Sequence, residues 1–187
     1  MADEQLRGRI AELEQQIADL HRGVGVAARA DGANVVTSHS DSAGAAMKLV
    51  LSEMRKEVPY DSCSVQELRE SRLVIIGGVG FADLDVVVGE SFDIDSADIP
   101  NSEVIYRRRP LLVSDTEQYR AFRRGLHVGR GIRSWLGVPL LAGDSLLGML
   151  ALDKAECDFY SPEHTRVAME FAGLLARAML KARERAA

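Results

Sequence analysis

Cysteine is nearly absent. The 187 residues hold two, Cys63 and Cys157, too few for a disulfide framework and too far apart for a C-x-x-C metal or redox spacing. Aromatic residues make up 5% of the chain, with a single tryptophan. No uncharged apolar run approaches the roughly 18 residues of a membrane span, and the N-terminal MADEQLRGRIAELEQQ lacks the apolar stretch of a signal peptide. A soluble, cytoplasmic protein with no membrane partner is expected. A positive surplus is also missing: the net charge is −5, which argues against a general nucleic-acid binder, since such a protein displaces counterions with a positive surface. What is present, 47% hydrophobic and 27% charged residues, fits one globular domain with extensions.

Catalytic signatures are lacking too. His21, His39, His127 and His164 are scattered, none at metal-ligand spacing from another His, Cys or acid. GGVGFAD has Gly78-x-Gly80 after an apolar run, but Asp83 stands where a dinucleotide fingerprint needs its third glycine, and no helix obviously opens there. GLHVGRG lacks the Lys-Ser/Thr of a P-loop. Cys63 reads as a small hydrophobe in a strand. Cys157 lies in the loop KAECDFY between Glu156 and Asp158, whose charges disfavour a thiolate. No enzyme, metal or particular cofactor is expected.

The periodicities are more informative. Leu6, Ile10, Leu13, Ile17, Leu20 and Val24 alternate in steps of four and three, a heptad seam with only two apolar positions per repeat. The spacing predicts an N-terminal coiled-coil-type dimerisation helix over 1–24. The alternative is an amphipathic helix lying on its own domain. Residues 25–41, rich in Gly, Ala, Ser and Asp, read as a linker. A helix is predicted from about Ser42 to Pro59 with Met47, Val50, Leu51 and Met54 on one face. DSCSVQEL and SRLVIIGGVGF form a predicted hairpin turning at Arg69–Ser71, and GESFDI follows as a short strand. NSEVIYRRR predicts a short helix ending at Pro110, PLLVSD a strand, and TEQYRAFRRG a second short helix capped by Ser114 or Asp115. RSWLGVPLLAGDSLLGMLALDK makes a hairpin hinged on Gly143 and Asp144, with Val138, Leu140, Leu146 and Leu150 predicted on one face. Ser161 and Pro162 open a closing helix whose stripe is Val167, Phe171, Leu174 and Ala178. Six strands, mostly in hairpins, with helices at the ends and in one insertion, describe an α+β domain with a largely antiparallel sheet.

IRSWLGVPLLAGDSLLGMLALDK, FYSPEHTRVAMEFAGLLARAMLKARE and RRRPLLVSD resemble, respectively, the paired central strands, the closing helix, and the helix-strand-Asp junction of GAF domains. The resemblance covers roughly residues 42–185 and implies a six-stranded, mostly antiparallel sheet with helices on its faces. It further implies a small-molecule-sensing module of bacterial signalling proteins, commonly dimeric, working on a downstream effector. The cysteine motifs of the family's methionine sulfoxide reductases and bilin carriers, and the Asn-Lys...Phe...Asp-Glu signature of its cyclic-nucleotide subset, are not found here.

Arg107 to Arg133 carries eight arginines (107, 108, 109, 120, 123, 124, 130 and 133) against Asp115 and Glu117, a local +6 that leaves −11 on the rest. This stretch would roof the pocket, so it raises the expectation of an anionic ligand; the competing reading is that the arginines face water near helix C-termini. The predicted pocket wall is Val74, Ile76 and Phe92 of the sheet, with Tyr106, Tyr119 and Trp135 above it and Arg109 and His127 at the lid. The expected assembly is a homodimer through Leu6, Ile10, Leu13, Ile17, Leu20 and the C-terminal helix 162–185, which passes ligand state to an effector. The alternatives are a dimerisation scaffold with a collapsed pocket and a thiol-based enzyme or redox sensor.

Overall fold

The computed structural model describes residues 2–22, 41–95, 99–119, 122 and 131–186. The heptad stripe forms α1 (Ala2–His21), but its apolar side chains are used within the chain. Leu6, Leu13 and Ile17 are buried in the cluster that holds Met47, Val50, Leu51 and Met54 of α2 (Asp41–Glu57) and Phe171 and Leu174 of α5 (Pro162–Ala186); Ile10 and Leu20 are half-buried. Charges fix the same placement: Arg9 reaches Glu53 at 2.7 Å and also Glu57, Arg166 reaches Asp3 at 2.8 Å, and Arg177 pairs with Glu14. The seam expected to join two chains is thus filled by α2 and α5 of its own, because a tethered apolar groove is always at high effective concentration.

The sheet runs in the order β3-β2-β1-β6-β5-β4, antiparallel throughout: β1 (Ser62–Arg69), β2 (Arg72–Val79), β3 (Ser91–Asp93), β4 (Leu111–Val113), β5 (Ser134–Ala142) and β6 (Ser145–Lys154). The β1–β2 turn places Glu70 at φ 53°, and the β5–β6 hairpin turns on Gly143 and Asp144, with Gly143 at φ 58°. A two-residue turn of that kind favours residues that tolerate positive φ. Helices α2 and α5 cover one face of the sheet, and α1 packs on α2 and α5. The four-residue α3 (Leu84–Val87), α4 (Pro100–Arg107) and the segments around them form the other side.

The closing helix starts as its sequence implies. Ser161 Oγ accepts the His164 N–H while His164 Nδ1 accepts the Ser161 N–H, both at 3.2 Å, a reciprocal cap with His in the usual Glu position. Its stripe, Val167, Phe171, Leu174 and Ala178, is buried on the sheet.

Three local expectations need correction. Residues 116–118 form a turn, in which the Asp115 carboxylate accepts the Glu117 N–H at 3.1 Å, rather than the start of a second helix. Of the rest of that predicted helix only Tyr119 and Phe122 are described, and His127 lies outside the described residues, as does nearly all of the predicted linker. The short α3 follows Asp83, where no helix was expected. Leu146 packs on the opposite face from Val138, Leu140 and Leu150. The cause is a bulge: Leu140 pairs with Gly148 and Leu141 with Leu146, so Leu147 is an extra residue and the alternation of β6 inverts there.

Candidate functional site

β1 lies in the middle of the sheet and is covered on both faces, so its alternation sorts side chains between two interiors. Cys63 and Val65 point to the helix layer, and Ser62, Ser64 and Gln66 to the other side. Polar groups buried in mid-sheet need partners, and a hydrogen-bonded chain supplies them. Asn101 Nδ2, at the start of α4, donates to Gln66 Oε1 at 2.9 Å, and Gln66 Nε2 donates to Ser64 Oγ at 3.0 Å. On the neighbouring strand Asp153, paired with Ser62, accepts its hydroxyl at Oδ2 at 2.6 Å.

These groups floor a cavity of about 70 Å³. Ala151 and Trp135 continue the floor onto β6 and β5, and Ile75, Phe92, Phe81 and Phe122 supply apolar walls. Trp135 is only 4% exposed, meets Phe122 edge-to-face at 6.2 Å between ring centres, and lies across Gly137, where any Cβ would overlap the indole. Asp153, 7% exposed, has its carboxyl pushed up to about 7 from an ordinary 3.8. Burial is the main cause; the Ser62 hydroxyl opposes it and the Asp61 charge adds to it. Asp61 is itself bridged to Lys154 at 2.9 Å.

The structure brings together two of the predicted pocket residues, Phe92 and Trp135. Val74 and Ile76 are on the helix side instead. Val74 pairs with Glu67, whose carboxylate meets Arg183 of α5 at 2.5 Å, and Ile76 packs in the helix-side core. A second bulge explains the shift: Val65 pairs with Gly77 and Gln66 with Ile75, leaving Ile76 unpaired and Ile75 facing the cavity. Tyr106 is 62% exposed and donates its hydroxyl to Asp95 at 2.6 Å; Tyr119 packs at the edge of the cavity-side core and contacts Glu103 at 3.2 Å. Arg109 is exposed.

Ser64, Gln66, Asn101 and Asp153 escaped the sequence analysis. The signal was the strict polar alternation Ser62, Ser64, Gln66 in a strand flanked by apolar partners, and a lone acid ending the run LLGMLALD. Among the described residues no three of His, Cys, Asp and Glu converge as a metal site. Cys63 is buried on the helix face, and burial, with the Asp153 charge, pushes its thiol well up; Cys157 is exposed.

A family model described as a GAF domain matches residues 40–179. No curated protein matches the chain. Among solved structures it is similar to the GAF domain of a phosphoenolpyruvate-protein phosphotransferase from Coxiella burnetii, with TM-score 0.70, 20% identity, and coverage of 95% of this chain and 96% of that one. It is also similar to a free methionine-R-sulfoxide reductase from Neisseria meningitidis, with TM-score 0.64, 13% identity and coverage of 99% and 94%. A third is the GAF domain of a two-component sensor histidine kinase from Bacillus halodurans, with TM-score 0.61, 13% identity and coverage of 74% and 96%. No described helix is long and apolar enough to cross a membrane.

Proposed function

The chain belongs to the GAF domain family, and from that premise we propose that it is a small-molecule-sensing regulatory module of a bacterial signalling protein, with the cavity over β1, β5 and β6 as its ligand site. The observation that carries this reading is the polar floor of that cavity. A collapsed scaffold pocket would be filled by apolar side chains, whereas Ser64, Gln66, Asn101 and Asp153 keep hydrogen-bonding groups around an open volume.

Output runs through the helix layer. Gln66 faces the cavity and its neighbour Glu67 faces the opposite side, where it holds Arg183 near the end of α5. A ligand that shifts Gln66 therefore acts on α5 through one residue of β1, and α1 moves with α5 through Arg177–Glu14. An effector domain or protein reads that change. Pairing of two modules uses the faces of α1 and α5 left outside the intramolecular core, since Leu6, Leu13 and Ile17 are already buried.

Thiol chemistry is disfavoured, because Cys63 faces the helices rather than the cavity. The described arginines of the Arg107–Arg133 stretch do not favour an anion either. Arg107 pairs with Glu103, Arg108 reaches the Asp144 carbonyl, Arg133 pairs with Asp115, and Arg109 is exposed; Arg120, Arg123, Arg124 and Arg130 lie outside the described residues.

Hydrogen–deuterium exchange with and without the small-molecule fraction of the source cells tests the proposal. Protection is expected in β1, β6 and α4 together with a change in α5. Identical exchange throughout would contradict it.

A further inference from the structure

The cap that opens α5 uses an imidazole where a carboxylate or carboxamide is usual. His164 Nδ1 accepts the Ser161 N–H at 3.2 Å while Ser161 Oγ accepts the His164 N–H. A glutamine in that place accepts at any pH, whereas an imidazole accepts only through an unprotonated nitrogen. Histidine is also the side chain whose charge ordinarily changes between pH 5 and 8. Protonation turns the acceptor into a second donor facing the Ser161 N–H. It also adds a positive charge to the first turn of a 25-residue helix, the end at which the macrodipole favours anions.

The ring is held where this change is felt. It stacks on Phe159, with ring centres 5.6 Å apart and planes 5° from parallel, and Tyr160 meets it edge-on at 6.2 Å. From β6, the Lys154 ammonium lies 4.8 Å over the same Phe159 ring and is bound to Asp61 at 2.9 Å. In the preceding loop Asp158 is exposed, and burial pushes the Tyr160 phenol further from ionisation. On α5 itself Glu163 is engaged by Arg166 at 2.6 Å. The same guanidinium reaches Asp3 of α1 at 2.8 Å. The turn closed by His164 is therefore also the one that ties the start of α1 to α5.

We propose that His164 is a pH-sensitive latch: its neutral imidazole closes the first turn of α5, and its protonation opens that turn and loosens the Arg166–Asp3 tie to α1. The helix layer then responds to acidification whatever the cavity holds, so the latch goes beyond the ligand reading and does not depend on it.

A ¹H–¹⁵N NMR titration of the full chain from pH 8 to pH 5 reads the latch at the His164 imidazole, at the Ser161 amide and at the amides of Asp3 and its neighbours in α1. At pH 8 the ring should carry its proton on Nε2, leaving Nδ1 as the acceptor. The Ser161 amide should then move with the same midpoint as the ring. Its exchange with solvent, relative to an unstructured amide at the same pH, should rise about fivefold, the worth of one neutral hydrogen bond. The α1 amides should follow. His164→Gln, which keeps an acceptor that does not titrate, should hold Ser161 and α1 still across the range. Arg166→Gln should keep the Ser161 response and remove that of α1. Asp153→Asn takes away the other group that titrates in this range, at about 7, and should change nothing. A proton on Nδ1 at pH 8, a Ser161 amide that stays still while His164 titrates, an unaltered response in His164→Gln or a response lost in Asp153→Asn overturns the latch. Amides of α1 that ignore a responding Ser161 overturn its link to α1. None of these outcomes bears on the cavity, which the native-mass measurement closing the Discussion tests separately.

Discussion

Ser62 on β1 donates its hydroxyl to Asp153 on β6 at 2.6 Å, and the same two residues are partners in the strand register. A side-chain bond is thereby added to the backbone pairing of the two central strands at the floor of the cavity. It is made to a carboxyl that burial keeps near neutrality.

Stability follows from that position. The Asp153 carboxyl is raised from 3.8 to about 7 in the folded chain, so the native state binds the extra proton between these values. Its contribution is fully present below about pH 4, falls as pH rises, and is gone above about 7, a loss of about 2 to 4 kcal/mol. Glu53, Asp115 and Glu163, held below their usual range by hydrogen bonds to cations, slope the other way. The measurement is therefore the difference between wild type and Asp153→Asn in urea melts from pH 4 to 8. It should grow in favour of the variant as pH rises, and parallel curves would refute the buried acid.

Leu13 is 4% exposed between α1 and its own domain. Leu13→Ala should cost about 2 to 3 kcal/mol, the same at every protein concentration. A midpoint that rises with concentration in the wild type and ceases to do so in Leu13→Ala would mean that α1 is held by a second chain.

Element types were legible in the sequence where periodicity was long and caps were present: α1, α2, α5 and all six strands lie close to their expected spans. The faces of the strands were less legible. Period-2 counting put Ile76 with the pocket and Leu146 with Leu150, and in each case one bulged residue, Ile76 or Leu147, inverted the pattern. No local propensity marks such a bulge; it is set by the pairing of two strands. The destination of α1 was ambiguous for a similar reason, since a heptad stripe describes an apolar face without naming what covers it. The cavity floor was overlooked because Ser64 and Gln66 look like the wet side of a strand until β1 is known to be central.

Gly137 leaves room for the Trp135 ring, which with Val104 occupies the space a Cβ would fill. Gly137→Ala should displace the indole, changing near-ultraviolet circular dichroism and tryptophan emission, and should destabilise the chain by about 1 to 3 kcal/mol. Spectra identical to wild type would show that the ring lies elsewhere.

Cys63 and Cys157 should differ sharply toward a thiol reagent. Burial raises the Cys63 thiol, and Cys157 is exposed. One thiol should react promptly in the native chain and two after denaturation, with the fast one lost in Cys157→Ser. A fast native reaction at Cys63 would reopen a thiol-based function.

The central claim, that the polar-floored cavity holds a small molecule, is tested most directly by native mass spectrometry of the chain recovered from its source cells, before and after denaturation. Ala151→Leu, which fills the floor between Ser64 and Gly137, is measured beside it. The account predicts an extra mass on the wild type that denaturation releases and that Ala151→Leu lacks. A bare wild type, or an adduct that persists in Ala151→Leu, would contradict it.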